Sequence, residues 1–177
     1  MIKRFNFFLI IMLFTGAVHV SGQQNTIWSF KNNDQPVLLS YNLLDSIIET
    51  AKGFLNTKYV YGGSSESGFD CSGFIYYVFN EYNILLSKSS DKLSSIGKKV
   101  EFDEIKEGDL LFFKSRNVSS DKVGHVSLVI CKTDNSFEMI HATNRGVVVD
   151  VFDEIRYYKN RFLFAKRFID IDETCHL

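Results

Sequence analysis

The chain has a single proline, Pro36, three cysteines, and no excess of either charge. Each scarcity closes off a class of structure or partner. With 20 Lys and Arg against 21 Asp and Glu and no basic run, nothing marks the chain for nucleic acid or for an anionic membrane surface. Three cysteines are too few for a disulfide-stapled domain. Their number is also odd, so at least one of Cys71, Cys131 and Cys175 stays a free thiol or pairs between chains, and a Cys131 to Cys175 bridge remains open. There is no CxxC, HExxH or HxH, the local ligand pairs of a zinc site, so no metal site is expected. The longest apolar run, FNFFLIIMLF, falls short of the roughly 20 residues of a membrane span.

That run has a different use. Lys3 and Arg4 precede it and the small residues of TGAVHVSG follow, the order of a secretory signal peptide over residues 1–22, with cleavage expected after Gly22, or after Ala17. The mature chain is therefore expected in the periplasm, the cell envelope or the medium, without a stable membrane span. Residues 23–40 are polar and aperiodic and read as an arm or linker, and 171–177 read as a polar tail. Between them, residues 41–170 are long and apolar enough for one domain with a full core, expected to be monomeric.

Within that domain the periodicity changes once. Leu43, Leu44, Ile47, Ile48, Ala51, Phe54 and Leu55 have helical spacing, with Ser40 available as a cap. Phe74, Ile75, Val78, Phe79 and Tyr82 mark a second helix, with Asp70 as N-cap and Cys71 in the first turn. A short third helix is predicted over Ser90 to Ile96, stopping at Gly97. Beyond residue 100 come DLLFFKS, GHVSLVICK, SFEMIHAT, GVVVDVF and RFLFAKRFI, separated by turn-rich pieces. Helices first and strands afterwards predict an α+β domain, the helices packed on one face of a mostly antiparallel five- or six-stranded sheet.

The chemistry-bearing residues are few enough to weigh singly. The segment YVYGGSSESGFDCSG is too rich in glycine for a helix or strand interior and delivers Cys71 to a helix start. There the unpaired backbone N–H groups and the helix dipole favour a thiolate and can hold an oxyanion. Taken alone, such a cysteine is more often a packing residue. A nucleophile needs a base, and outside the signal peptide and the tail only His125 and His141 remain. They are 16 residues apart with TDNS between their strands, an even spacing compatible with both side chains on one face of a regular hairpin. Together with the capped cysteine they suggest a Cys–His–His array.

In order, YVYGGSSESGFDCSGFIYYVF, LSKSS, EGDLLFF, GHVSLVI and MIHATNRGVVVD resemble the NlpC/P60 family of cell-wall cysteine peptidases, over about residues 41 to 169. The resemblance implies a papain-like fold with Cys71 as nucleophile, His125 as general base and acid, and His141 as the orienting third residue. It also implies that Tyr59, Asp70, Ser72 and Ser90 bind substrate. The reaction implied is hydrolysis of an amide in peptidoglycan stem peptides or cross-links, the γ-D-glutamyl-diamino acid bond favoured, with peptidoglycan or muropeptides as the partner and with no metal or organic cofactor needed. A non-catalytic secreted binding protein of this fold, and an amidase or acyltransferase acting on a non-wall amide, are the alternatives. The sequence departs from the family pattern at Glu107, where a proline is common, at Leu86-Ser87-Lys88 in place of Leu-Pro-Arg, and in a longer spacing between the histidines. The stretch ahead of residue 41 is too short for the SH3-like modules that many members carry.

Overall fold

The structure, a computed structural model, describes residues 35–117, 119–133 and 135–169. The expectations for the signal peptide, for most of the arm and for the tail lie outside the described residues. So do Cys175 and His176, while Cys71 and Cys131 carry free thiols.

The first helix, α1, spans Gln35–Gly53 and so begins ahead of Tyr41, inside the stretch read as an arm. Pro36 falls in its first turn, where a missing N–H costs no helical hydrogen bond, and Ser40 lies within the helix instead of capping it. Apolar periodicity locates the buried face, here Leu44, Ile47, Ile48 and Ala51, and is silent about turns ahead of it. Two short strands, β1 (Ser64–Ser65) and β2 (Gly68–Phe69), form a hairpin before α2 (Cys71–Asn80). α3 (Ser90–Ser94) is shorter than expected, and Gly97 follows it with a φ of 79°.

Six strands then make the sheet: β3 (Lys98–Val100), β4 (Leu110–Lys114), β5 (Val123–Lys132), β6 (Phe137–Thr143), β7 (Gly146–Val151) and β8 (Phe162–Arg167), with a short α4 (Arg156–Lys159) before the last. The order across the sheet is β3-β8-β4-β5-β6-β7, and every pairing is antiparallel. The fold is the expected α+β class.

Both faces of this sheet are covered, which is why β4 reads as an unbroken apolar run. Leu110, Phe112, Val126, Leu128 and Ile140 join the buried faces of α1, α2 and α3 in one cluster. Leu111, Phe113, Val129, Met139 and Ala165 meet Phe152 and Tyr158 in a second. Each fully buried Phe or Leu contributes about 1.5–3 kcal/mol. The helices thus pack on one face as expected, and a thinner aromatic layer closes the other.

The Gly-Asp-Leu stretch proves to be architectural. Asp109 is completely buried, and its carboxylate accepts from Arg167 Nε at 2.8 Å, from a second Arg167 nitrogen at 2.9 Å and from the Lys106 N–H at 2.9 Å. This ties the start of β4 to the end of β8. Glu107, where the family often has proline, accepts the Lys132 N–H at 2.8 Å and so holds the far end of β5.

Candidate active site

The start of α2 is built by the glycine-rich loop. Asp70 caps the helix: one carboxylate oxygen accepts the Gly73 N–H at 2.6 Å and the other accepts the Gly62 N–H at 3.0 Å. The loop presses against the helix at Gly73, where a Cβ would stand 1.9 Å from the Gly63 carbonyl oxygen. Only glycine permits that approach. Cys71 follows the cap and is 8% exposed.

The histidines owe their common face to an irregularity. At the hairpin tip Lys132 faces Phe137 and Cys131 faces Glu138; beyond a bulge, Val129 faces Met139 and Leu128 faces Ile140. Had the tip register continued, His141 would lie opposite Leu128, and the two histidines would point to opposite faces. The extra residue in β5 brings His141 level with Ser127 instead, on the same face as His125. Leu128 and Ile140 are the last described pair of this ladder, although β5 continues to Val123 and β6 to Thr143. In the opened stretch the Val126 N–H is directed at the Cys71 thiol, one residue along the strand from His125.

A chain of polar contacts runs away from His125. Its Nε2 lies 2.9 Å from His141 Nδ1, and His141 Nε2 lies 2.9 Å from Asp150 Oδ2. Asp150 accepts, so His141 carries its proton on Nε2; His141 Nδ1 is then an acceptor, and His125 must donate from Nε2. The lone pair of His125 is left on Nδ1. Arg145 donates to the same Asp150 oxygen and to Tyr158, whose ring stacks on His125 with centroids 5.7 Å apart and 25° between planes. His141 is fully buried and Asp150 is 7% exposed.

Burial dominates the electrostatics. It pushes the Cys71 thiol up to about 11, reinforced by the Asp70 carboxylate and opposed by N–H groups of Val126, Ser72 and Cys71 itself. The expected resting thiolate is therefore corrected: the helix start does help the anion, but desolvation and Asp70 outweigh it. Burial, and then the neighbouring His141, lower His125 to about 3, while burial lowers His141 against the pull of Asp150. Burial raises Asp150, but hydrogen bonds from His141 and Arg145 prevail and hold it near 2. At neutral pH the array is a neutral thiol, two neutral imidazoles and one carboxylate.

A cleft of about 600 Å³ opens from His125, lined among others by Tyr59, Lys114, Arg116, Thr143, Arg145 and Tyr157. Of the residues expected to bind substrate, Tyr59 lines this cleft, and burial followed by the Cys71 charge raises its hydroxyl pKa. Asp70 has both oxygens engaged by the loop and the helix. Ser72 is buried and donates to the Lys88 carbonyl at 2.7 Å and to Asp70 at 3.3 Å. Ser90 is the first residue of α3 and does not line the cleft. Lys88, in the departing Leu-Ser-Lys stretch, reaches Ser64 Oγ at 3.0 Å and lies over the Tyr76 ring. Asp150, Arg145 and Tyr158 were not singled out from sequence. The available signal was an acid in the middle of an apolar strand, VVVDVF. Among the described residues no cluster of three or more His, Cys, Asp and Glu is placed to hold a metal.

Residues 56–167 match the profile of the NlpC/P60 family. The gamma-D-glutamyl-L-lysine dipeptidyl-peptidase of Bacillus subtilis (strain 168) is 32% identical over 116 residues, covering 66% of this chain and 38% of that protein. An NlpC/P60 family protein from Bacillus cereus ATCC 10987 superposes with a TM-score of 0.64 at 30% identity, over 72% of this chain and 40% of that one. The NlpC/p60 domain of the peptidoglycan hydrolase SagA gives 0.58 at 28% identity, over 71% of this chain and 98% of that domain. The chain spans between 29% and 38% of the length of the Bacillus subtilis relatives it matches first.

Proposed function

The chain belongs to the NlpC/P60 family, and on that premise we propose that it is an exported cysteine-type peptidoglycan hydrolase whose nucleophile is Cys71. Its favoured bond is the amide between the γ-carboxyl of D-glutamate and a diamino acid. Export rests on the Lys3-Arg4 start and the apolar run behind it. The observation that carries the reading is the Asp150–His141–His125 relay, which leaves His125 Nδ1 as its free base beside the strand residue that touches the thiol.

Because thiol and imidazole are both neutral at rest, the proton moves as the bond forms. His125 takes the Cys71 proton while the sulfur attacks the amide carbon, and the new imidazolium is stabilised through His141 by Asp150. Backbone N–H groups at the start of α2 hold the oxyanion. When the C–N bond breaks, His125 returns its proton to the leaving amine, and a thioester remains. Water then gives a proton to His125 and attacks the thioester, releasing the γ-carboxyl product; the thiolate recovers its proton from His125. Tyr59 borders the substrate path, while Asp70 and Ser72 act by holding the loop and helix in place.

Replacing Cys71 with Ala is expected to abolish release of new amines from purified muropeptides, read by mass spectrometry, with an unchanged circular dichroism spectrum. Turnover by a folded Cys71→Ala protein would rule out the thioester route.

A further inference from the structure

Three adjacent strands each supply one member of the relay: His125 on β5, His141 on β6 and Asp150 on β7. The chain that leaves β7 passes through α4, which brings the side chain of Tyr158, 8% exposed, against that relay. The Tyr158 ring centroid lies 5.7 Å from that of His125 with 25° between planes and 4.9 Å from that of His141, and Phe113 backs it at 5.2 Å. Phe113 and His141 are the other rings against His125 among the described residues, and both are more steeply inclined to it, at 43° and 61°. The Tyr158 hydroxyl is hydrogen-bonded to the Arg145 side chain, which also donates to Asp150. Packing accounts for a buried aromatic in this layer, where Phe113 and Phe152 have no polar atom. It does not account for a hydroxyl fastened to the ion pair behind the relay.

A strand fixes where His125 leaves the backbone but not how its ring is turned, because the last torsion of an imidazole is broad and two-fold. A half-turn would exchange Nδ1 with Cδ2 and Nε2 with Cε1. Carbon would then replace both the nitrogen proposed as base and the one that donates to His141. The hydrogen bond to His141 Nδ1, at 2.9 Å, restrains that turn at one atom only. A ring lying nearly parallel restrains the whole plane. Resting on the hydrolase reading above, we propose that Tyr158 is a positioning residue whose ring holds the plane of the His125 imidazole and whose hydroxyl holds Arg145 on Asp150. Both ends of the relay are thereby fastened to one side chain. Tyr158 also borders the cleft, but its action passes through His125, so its loss belongs in kcat and not in KM.

The test compares Tyr158→Phe, which keeps the ring, with Tyr158→Leu, which keeps apolar bulk alone; Tyr158→Met takes the place of a leucine variant that does not fold. Turnover of L-Ala-γ-D-Glu-meso-diaminopimelate gives kcat and KM. Nitrogen NMR spectra of histidine-labelled protein give the tautomers of His125 and His141, which a loss of packing by itself would not shift. In the unmodified protein His125 should show Nε2 protonated and Nδ1 bare. Tyr158→Leu should lose about thirtyfold in kcat at unchanged KM, with the two His125 nitrogens averaged. Tyr158→Phe should lose about threefold and keep the single tautomer. A Tyr158→Leu protein with the parent's kcat, a loss confined to KM, or a Tyr158→Phe protein as slow as Tyr158→Leu overturns the positioning role and leaves the hydrolase standing. So does a slow Tyr158→Leu protein that keeps the single tautomer. Averaged nitrogens in Tyr158→Leu but not in Tyr158→Phe, without turnover by the unmodified protein, support the positioning and remove the hydrolase. A single tautomer in every variant with no turnover removes both.

Discussion

At the scale of single residues, Asp150 has the largest leverage for its distance from the thiol. Its carboxylate fixes His141 as the Nε2-H tautomer, which in turn fixes His125 and leaves Nδ1, the nitrogen proposed as base, unprotonated. Asp150→Asn keeps the size of the side chain but offers an amide in place of an obligate acceptor, so both imidazoles lose their assigned proton. We expect kcat to drop by about a hundredfold with KM little changed, because no substrate contact is removed. Steady-state kinetics across pH 5 to 9 checks this: an Asp150→Asn protein with the parent's kcat at its own optimum would remove the relay from the mechanism. Cys71, His125 and His141 could be singled out as candidates in the sequence because a thiol at a capped helix start and two histidines are rare and their flanks are distinctive; the structure brings the two histidines together, and their catalytic roles are the proposal above. Asp150 could not, because an acid within an apolar strand acquires meaning only through the register that pairs Met139 with Asp150 and His141 with Val148.

At the scale of elements, the site depends on a helix start and a bulged hairpin, and the two differ in how openly the sequence declares them. The cap was legible: an aspartate directly before a periodic apolar segment is a local signal, and Asp70 does accept the Gly73 N–H. The long strands were legible too, from alternation and turn residues. The bulge in β5 was not, since one extra residue leaves the composition of the strand unchanged and the parity of a spacing assumes a regular ladder. Nor were β1, β2 and β3, of two or three residues each, too short to show a period. The cap has a double role that two substitutions separate. Asp70→Ala removes the acceptor and should destabilise the protein by about 1–2 kcal/mol. Asp70→Asn retains an acceptor oxygen but removes the charge that raises the Cys71 pKa, so the thiol should alkylate faster at pH 8 with a smaller loss of stability. Rates of iodoacetamide labelling beside denaturant midpoints test this, and equal labelling of Asp70→Asn and the parent would show that burial alone sets the thiol.

At the scale of the whole molecule, the same buried groups that make the site couple it to stability. The sheet is covered on both faces, so His141 and Asp150 lie within the folded body, and protonating them charges or neutralises its interior. His125 falls from 6.5 to about 3 on folding, and His141 also falls. Below pH 6.5 the unfolded chain therefore binds protons that the native protein refuses, and stability present above that pH is lost as the pH drops toward 3. Asp150, lowered from 3.8 to about 2, extends the loss below pH 4. Cys71 acts in the other direction. Raised from 9.0 to about 11, it keeps its proton in the native state while the unfolded thiol loses it, so its contribution is full below pH 9 and fades as the pH climbs. Unfolding free energy should thus be greatest between about pH 6.5 and 9, with limbs approaching about 1.4 kcal/mol per pH unit for each proton taken up or lost. Urea titrations at half-unit intervals measure both limbs. His125→Ala should flatten the slope between pH 6.5 and 4, and Cys71→Ala the slope between pH 9 and 10, before tyrosines contribute. An acid limb unchanged in His125→Ala would place its cause in His141, in Asp150 or outside the site. His125 would then be electrostatically independent of the fold that encloses it, and the lowered pKa assigned to it would have to be abandoned.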